Sequence, residues 1–297
     1  MIPIIDAHHH IWRQQDLPWL RGPMAPRIFG PYEAIRRDYP VTEFKDDISA
    51  SNVVGSVYVQ VNWDQQKELD EVRWVDSVAE EAGLPNVIVG YVNLLSEDAP
   101  QMLKAQSAFS RMRGIRMQLH WHENEMYRFA SAPDQMNLPI FRKNLALLQD
   151  YGWSFDLQLF ASQMADGAAM AKDFPDITFI LQHSGMLEDL STEGHALWLE
   201  GMKQLADCPN VVSKLSGFGT FIHENNDNHI KDVVNQTISL FGAKRCLFGS
   251  NFPIEKLWTD YSSLVTSHRK ALAGYSQDIQ RSILHDNAMR IYQIEIN

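Results

Sequence analysis

The feature that most constrains this chain is a rhythm of eight short apolar or β-branched runs, each followed by a longer segment. The runs cover residues 3–7, 54–61, 86–93, 114–119, 153–159, 177–183, 210–216 and 245–250. The intervening segments read as helices. Residues 64–82 place Leu69, Val72, Val75, Val78, Ala79 and Ala82 near a helical period, and Gly83 and Pro85 then stop the pattern. Residues 140–149 and 194–206 behave alike. Strands alternating with helices predict βαβ units and a parallel sheet. Eight of them predict an α/β fold of the (β/α)8 TIM-barrel type, as a single domain over residues 1–297. Residues 14–50 break the rhythm: they carry Gly22, Pro23, Pro26, Gly30 and Pro31 and are too long for a simple connection. They read as an insertion after the first strand, either a lid or an ordered surface excursion. The aromatics Trp12, Trp19, Phe29 and Tyr32 either line such a lid or pack singly.

Charge narrows the function. Lys and Arg total 26 against 37 Asp and Glu, a net charge of −11. That balance argues against nucleic acid or an anionic membrane surface as partner, since both demand clustered positive charge. No apolar run approaches the ~18–20 residues of a bilayer span. Residues 1–5 are apolar, but Asp6 and three histidines follow at once, so a signal peptide is not expected. Cys208 and Cys246 have neither metal nor disulfide spacing, and a reducing, cytoplasmic setting is the simplest expectation. A barrel of this kind can form a homodimer, although no interface signature is legible.

Strand parity points to a polar barrel mouth. Alternate side chains face opposite sides of a strand. Val57, Val59 and Val61 oppose Ser56, Tyr58, Gln60 and Asn62; Ile115, Met117 and Leu119 oppose Arg116, Gln118 and His120; Phe155, Leu157 and Leu159 oppose Ser154, Asp156 and Gln158. With the apolar sets against outer helices, the polar sets would face inward, where they need partners or a ligand. Three strand ends then carry chemistry. In Asp6-Ala7-His8-His9-His10, regular alternation puts Asp6, His8 and His10 on one face, and two imidazoles so spaced can reach one cation. Gln182-His183-Ser184-Gly185 ends the sixth run at a glycine turn. Phe248-Gly249-Ser250-Asn251-Phe252-Pro253-Ile254-Glu255 ends the eighth, with Asn251 toward the mouth and Glu255 in the loop.

The D-A-H-x-H opening, the G-I-R of residues 114–116, Q-H-S-G and G-S-N-F-P together resemble the amidohydrolase superfamily, and within it the amidohydrolase-2 branch, which includes sugar and dicarboxylate lactonases. The resemblance covers nearly the whole chain. It implies a (β/α)8 barrel and hydrolysis of a lactone or similar acyl bond. By the resemblance His8 and His10 match a pair that holds metal or polarises substrate, and His183 matches the strand-6 histidine. Arg116 matches an arginine that binds a substrate carboxylate in some lactonases. Lys214 lies where a basic residue can occur. The superfamily usually carries aspartate where this chain has Asn251, and asparagine can neither take a proton nor bind metal firmly.

These readings give His8, His10, His183, Asn251 and Glu255 as catalytic candidates, and Arg116, Gln60, His120 and Lys214 as substrate contacts. His8, His10 and His183 would hold one divalent ion, zinc first, or work without metal. Without metal, a protonated His183 would stabilise the oxyanion, and Glu255 or Asp6 would take the proton of water. Asp6 would alternatively orient a ligand or be structural. Asp156 would either neutralise Arg116 or leave that cation to a substrate carboxylate, and Lys214 would bind substrate oxygen or pair with a carboxylate inside the barrel. The leading expectation is a hydrolase of a small polar lactone, either a sugar lactone or a carboxylated one. A metal-dependent decarboxylase of an aromatic acid, which calls for an acidic residue at 251, and a non-catalytic binding barrel are the alternatives.

Overall fold

In a computed structural model, which describes residues 2–64 and 66–296, the eight expected strands form one parallel sheet in chain order. They are β1 (Ile4–His9), β2 (Val53–Val59), β3 (Val87–Gly90), β4 (Met112–Ile115), β5 (Ser154–Leu157), β6 (Phe179–Leu181), β7 (Val211–Leu215) and β8 (Cys246–Phe248). Just beyond β8 the chain returns to β1: Asn251 N–H donates to the His8 carbonyl at 2.7 Å, and His10 N–H donates to the Phe252 carbonyl at 2.7 Å. These bonds draw the sheet into a (β/α)8 barrel. Among the described residues no helix is long and apolar enough to cross a membrane.

The barrel interior has two layers. Ile5, Ala7, Val57, Val59, Val87, Val89, Ile180, Val212 and Leu247 form one buried apolar cluster, joined by Ala288, Tyr292 and Ile294 near the C-terminus. Branched residues filling a barrel from alternate strands are the ordinary packing of this fold. Nearer the C-terminal strand ends the interior turns polar, with Asp156, Lys214 and Arg116. The outer cluster holds Phe155, Leu157, Ile115 and Met117, so the parity read for β4 and β5 holds.

For β2 the expected parity is reversed. Val57 and Val59 face inward, and the Tyr58 hydroxyl reaches outward to Glu71 Oε1 at 2.8 Å, on helix Glu68–Ala82. The apolar layer needs the valines, and the outward polar group finds a carboxylate on the covering helix. In β1 a bulge breaks the alternation: Asp6 pairs with Ser56, but His9 pairs with Tyr58, so β1 spends one extra residue. Asp6 and His9 therefore share the outer face, whereas His8 and His10 turn toward the barrel mouth.

Residues 14–50 are ordered. A short helix Pro18–Arg21 opens the excursion, and helix Val41–Ile48 within it packs on helix Tyr261–Leu272 as part of the outer ring. Trp12 Nε1 donates to the Arg37 carbonyl at 2.7 Å, and Trp19 Nε1 to the Val61 carbonyl at 2.9 Å, which fastens the excursion across the strand ends.

Candidate active site

Three imidazoles meet at the C-terminal strand ends. The ring of His8 lies 5.0 Å from that of His10 and 4.7 Å from that of His183, centroid to centroid. His9, turned outward by the bulge, stacks on Phe44 at 3.9 Å. His10 Nδ1 lies 2.7 Å from the Val59 carbonyl. A carbonyl can only accept, so Nδ1 carries the proton and Nε2 keeps its lone pair. His183 follows β6 in a left-handed conformation (φ 53°), and its Nδ1 lies 2.9 Å from Ser216 Oγ at the end of β7. The next residue, Gly217 (φ +66°), makes room for that ring: a Cβ there would stand 2.5 Å from His183 Nδ1. His8 is fully buried, and among the described residues neither of its ring nitrogens has a hydrogen-bond partner.

These imidazoles are held neutral. Burial, then the charges of Arg116 and Lys214, push His183 down to about 3. Burial and Lys214 hold His8, and burial and Arg116 hold His10, well below the ordinary range. These surroundings disfavour the protonated His183 expected as oxyanion donor, since burial and the charges of Arg116 and Lys214 oppose a further positive charge there.

Two buried cations supply that field. Lys214 Nζ donates to Asp156 Oδ2 at 2.6 Å, and both side chains are fully buried. Gln182 Nε2 donates to the same oxygen at 3.0 Å. Lys214 does not line the cavity, which corrects its expected contact with substrate; the barrel carboxylate already occupies it. Arg116 is also buried, yet it makes no ion pair with any described carboxylate; its Nη2 donates to the Gln60 carbonyl and its Nε has no partner. Burial brings it down to about 10, with Asp156 the leading opposing influence. Gln60 is likewise corrected: its side chain spans strands, donating to the Arg116 carbonyl at 3.2 Å and accepting from Asn62 N–H at 2.7 Å, and it does not line the cavity.

The carboxylates divide differently from expectation. Asp6 accepts from Ser250 N–H (2.8 Å), Ser250 Oγ (2.6 Å) and the Tyr261 hydroxyl (3.0 Å). It ties β1 to the end of β8 and to helix Tyr261–Leu272, so it faces the outer layer and is no base for the mouth. Burial raises it to about 6 despite those bonds. Glu255 is buried, and its Oε2 accepts from Trp258 Nε1 at 2.8 Å. Burial raises it to about 7. It stands behind Asn251 and does not line the cavity itself.

The cavity, about 820 Å³ with its open mouth, is lined by His10, His183, Arg116, His120 and Asn251 among the expected residues. Trp12, just before the excursion, and Trp19 and Phe29 within it also line the cavity, whereas Tyr32 does not. His120, buried between Phe129 and Phe160, is pushed down to about 3, chiefly by burial. No Asp or Glu reaches the lining among the described residues.

The donor set also tests for a resident metal. His10 offers Nε2, and both His8 nitrogens are unpartnered. Yet among the described residues no group of three or more His, Cys, Asp or Glu side chains is arranged to hold a metal ion, and position 251 is a neutral amide. As placed, His8, His10 and His183 do not fit the metal set expected of them.

The profile of the amidohydrolase family matches residues 5–294. The chain belongs to the amidohydrolase family. This amidohydrolase is 33% identical over 295 residues to the uncharacterized protein y4mH of Sinorhizobium fredii, covering 99% of both chains. It is 25% identical to the L-fucono-1,5-lactonase of Burkholderia ambifaria, over 98% of this chain and 96% of that protein. A crystal structure of a Burkholderia multivorans amidohydrolase with bound zinc superposes with a TM-score of 0.83 at 23% identity, covering 99% of this chain and 100% of that one.

Several cavity residues of this amidohydrolase escape a reading of its sequence. Thr220, Tyr127, Arg27 and Arg128 line the same space, beside Gln158. For Gln158 the β5 parity carried the signal. The others sit in irregular segments, where no period says which way a side chain points. Ser216, which holds His183, was hidden because a serine ending a strand has no distinguishing pattern.

Proposed function

We propose that this amidohydrolase hydrolyses the ester bond of a small polar lactone. The observation that carries the reading is one cavity at the C-terminal strand ends that combines neutral imidazoles, a buried unpaired guanidinium and a side-chain amide. The family match and the full-length likeness to lactonases support it.

The chemistry follows from the geometry. The lactone carbonyl oxygen is taken up by Arg116, whose buried charge is worth most where water is excluded. Asn251 positions the attacking water by hydrogen bonding. His10, its proton fixed on Nδ1, accepts the proton of that water at Nε2. Burial and Arg116 make His10 a weak base in the empty site. The oxyanion forming against Arg116 offsets that positive charge, so His10 grows more basic as the carbon–oxygen bond forms. The collapsing intermediate breaks the ring C–O bond, and the alkoxide recovers the proton from His10. The products are a hydroxy acid, ionised at neutral pH, and one proton released to solvent. Arg116 and Asn251 thus act on the carbonyl and the water, His183 holds the opposite wall, and His8 supports the two rings from beneath. The decarboxylase alternative calls for an acidic residue at 251, and this lining has none.

A panel of five- and six-membered lactones in a pH-indicator assay tests the reading. One proton per turnover, lost in His10→Ala and His183→Ala, is the expected result. Carbon dioxide release from an aromatic acid would favour the decarboxylase. Binding without turnover, unchanged by either substitution, would favour a binding barrel.

A further inference from the structure

The cavity inverts the charge of the chain around it. The protein carries 37 acidic and 26 basic residues, but the lining holds Arg27, Arg116 and Arg128 and no described carboxylate. Arg116 is spoken for by the carbonyl of the reaction. Arg27 is not. It is half-buried in the excursion after β1, and its Nε is shut off from solvent with no hydrogen-bond partner. It makes no ion pair with any described carboxylate; its side chain lies over the face of Trp19, 5.7 Å from the guanidinium carbon to the ring centre.

The platform under Arg27 is fixed. Trp19 donates to the Val61 carbonyl at 2.9 Å, Ala25 N–H donates to the Tyr32 hydroxyl at 3.2 Å, and Arg36 Nη2 donates to the Gly22 carbonyl at 2.6 Å. Arg128, the third cation, has its guanidinium turned to the carbonyls of His122 and Glu123, so it adds positive potential with part of its donor capacity already used. A guanidinium that lines the cavity, stacked on an aromatic ring and without a counter-charge, is poised for a planar or tetrahedral oxyanion. A neutral polyol would leave the positive field of this lining uncompensated.

Resting on the lactone-hydrolase reading, we infer that Arg27 is a specificity-determining residue that binds an anionic oxygen group, carboxylate or phosphate, carried outside the lactone ring. The substrate is then an acidic lactone, unlike the neutral sugar lactone named for the curated relatives.

The experiment compares lactones of one ring size that are neutral, carboxylated or phosphorylated, using the full-length protein and its Arg27→Gln and Arg27→Lys variants. An acidic lactone is favoured in kcat/KM by about tenfold or more, as one charge-assisted contact would give. Arg27→Gln removes most of that preference through KM, Arg27→Lys keeps part of it, and the preference shrinks as salt rises. The anion giving the larger kcat/KM identifies the group. A preference for the neutral lactone, or one unchanged in Arg27→Gln, overturns the inference. Should no lactone be turned over, the hydrolase reading fails by itself. Calorimetric binding of the ring-opened hydroxy diacid against the matching hydroxy monoacid then decides: tighter diacid binding lost in Arg27→Gln upholds the role of Arg27, and equal binding overturns it.

Discussion

Lys214 and Arg116 are both buried cations inside one barrel, and they have opposite surroundings. Lys214 has a carboxylate at 2.6 Å, and the ring of Tyr292 lies 5.3 Å from its ammonium. Arg116 has a carbonyl for a partner, a buried Nε with no hydrogen-bond partner among the described residues, and a place in the cavity lining. Desolvating a charge costs several kcal/mol, on the order of what a close counter-charge returns. The paired cation therefore belongs to the architecture, and the unpaired one holds a place for something that arrives. Residue type does not distinguish them; only the position of Asp156 does.

The largest effect should come from breaking the pair. Lys214→Met leaves Asp156 buried and uncompensated, which should cost about 3–5 kcal/mol of stability. Denaturant unfolding checks it, and Asp156→Leu added to Lys214→Met should recover most of the loss. A small cost for the single variant would show that Asp156 simply takes up a proton, and the contrast with Arg116 would weaken. Arg116→Gln should do the reverse: kcat/KM falls about 10²–10³-fold, as for loss of one oxyanion donor, with stability unchanged or raised. Steady-state kinetics beside thermal melts measures both, and a large stability loss with intact activity would exchange the two roles.

Ser216→Ala sharpens the comparison on the imidazole side. Freed at Nδ1, His183 loses one hydrogen bond, worth about 1 kcal/mol. A roughly tenfold fall in kcat with little change in KM is expected, and Ser216→Thr should restore part of it. The last prediction concerns pH. Glu255 has a folded-state value of about 7 against an ordinary 4.5, so the native protein binds the extra proton between those limits. Its contribution is full below about pH 4.5 and is lost as pH rises through 7. Glu255→Gln should remove that slope, and the variant's advantage over the parent should grow from pH 5 to pH 8 in urea titrations.

The eight strands were legible because hydrophobic period is local, and so was the inward set Arg116–His120 and Asp156–Gln158, where alternation runs unbroken. It failed at β1 and β2 for nameable reasons. One extra residue in β1 sends Asp6 outward to Ser250 and Tyr261, and Glu71 on a covering helix draws Tyr58 out of the barrel. Neither the bulge nor the partner can be read from the strand itself. The order of the histidine, arginine and asparagine motifs placed His10, His183, Arg116 and Asn251 at one end of the barrel. It did not say that Gln60 and Lys214 would be occupied by the protein.

The sequence alone thus determined the barrel, its family and which strand ends carry the chemistry, because these depend on period and on short motifs within single segments. Tertiary structure decided which buried charges are satisfied, which imidazole nitrogens are free, and that Arg27 joins the cavity from a segment without period. Those outcomes depend on partners far apart in the chain, and the cost of burying a charge or a lone pair is set by whatever the fold brings beside it.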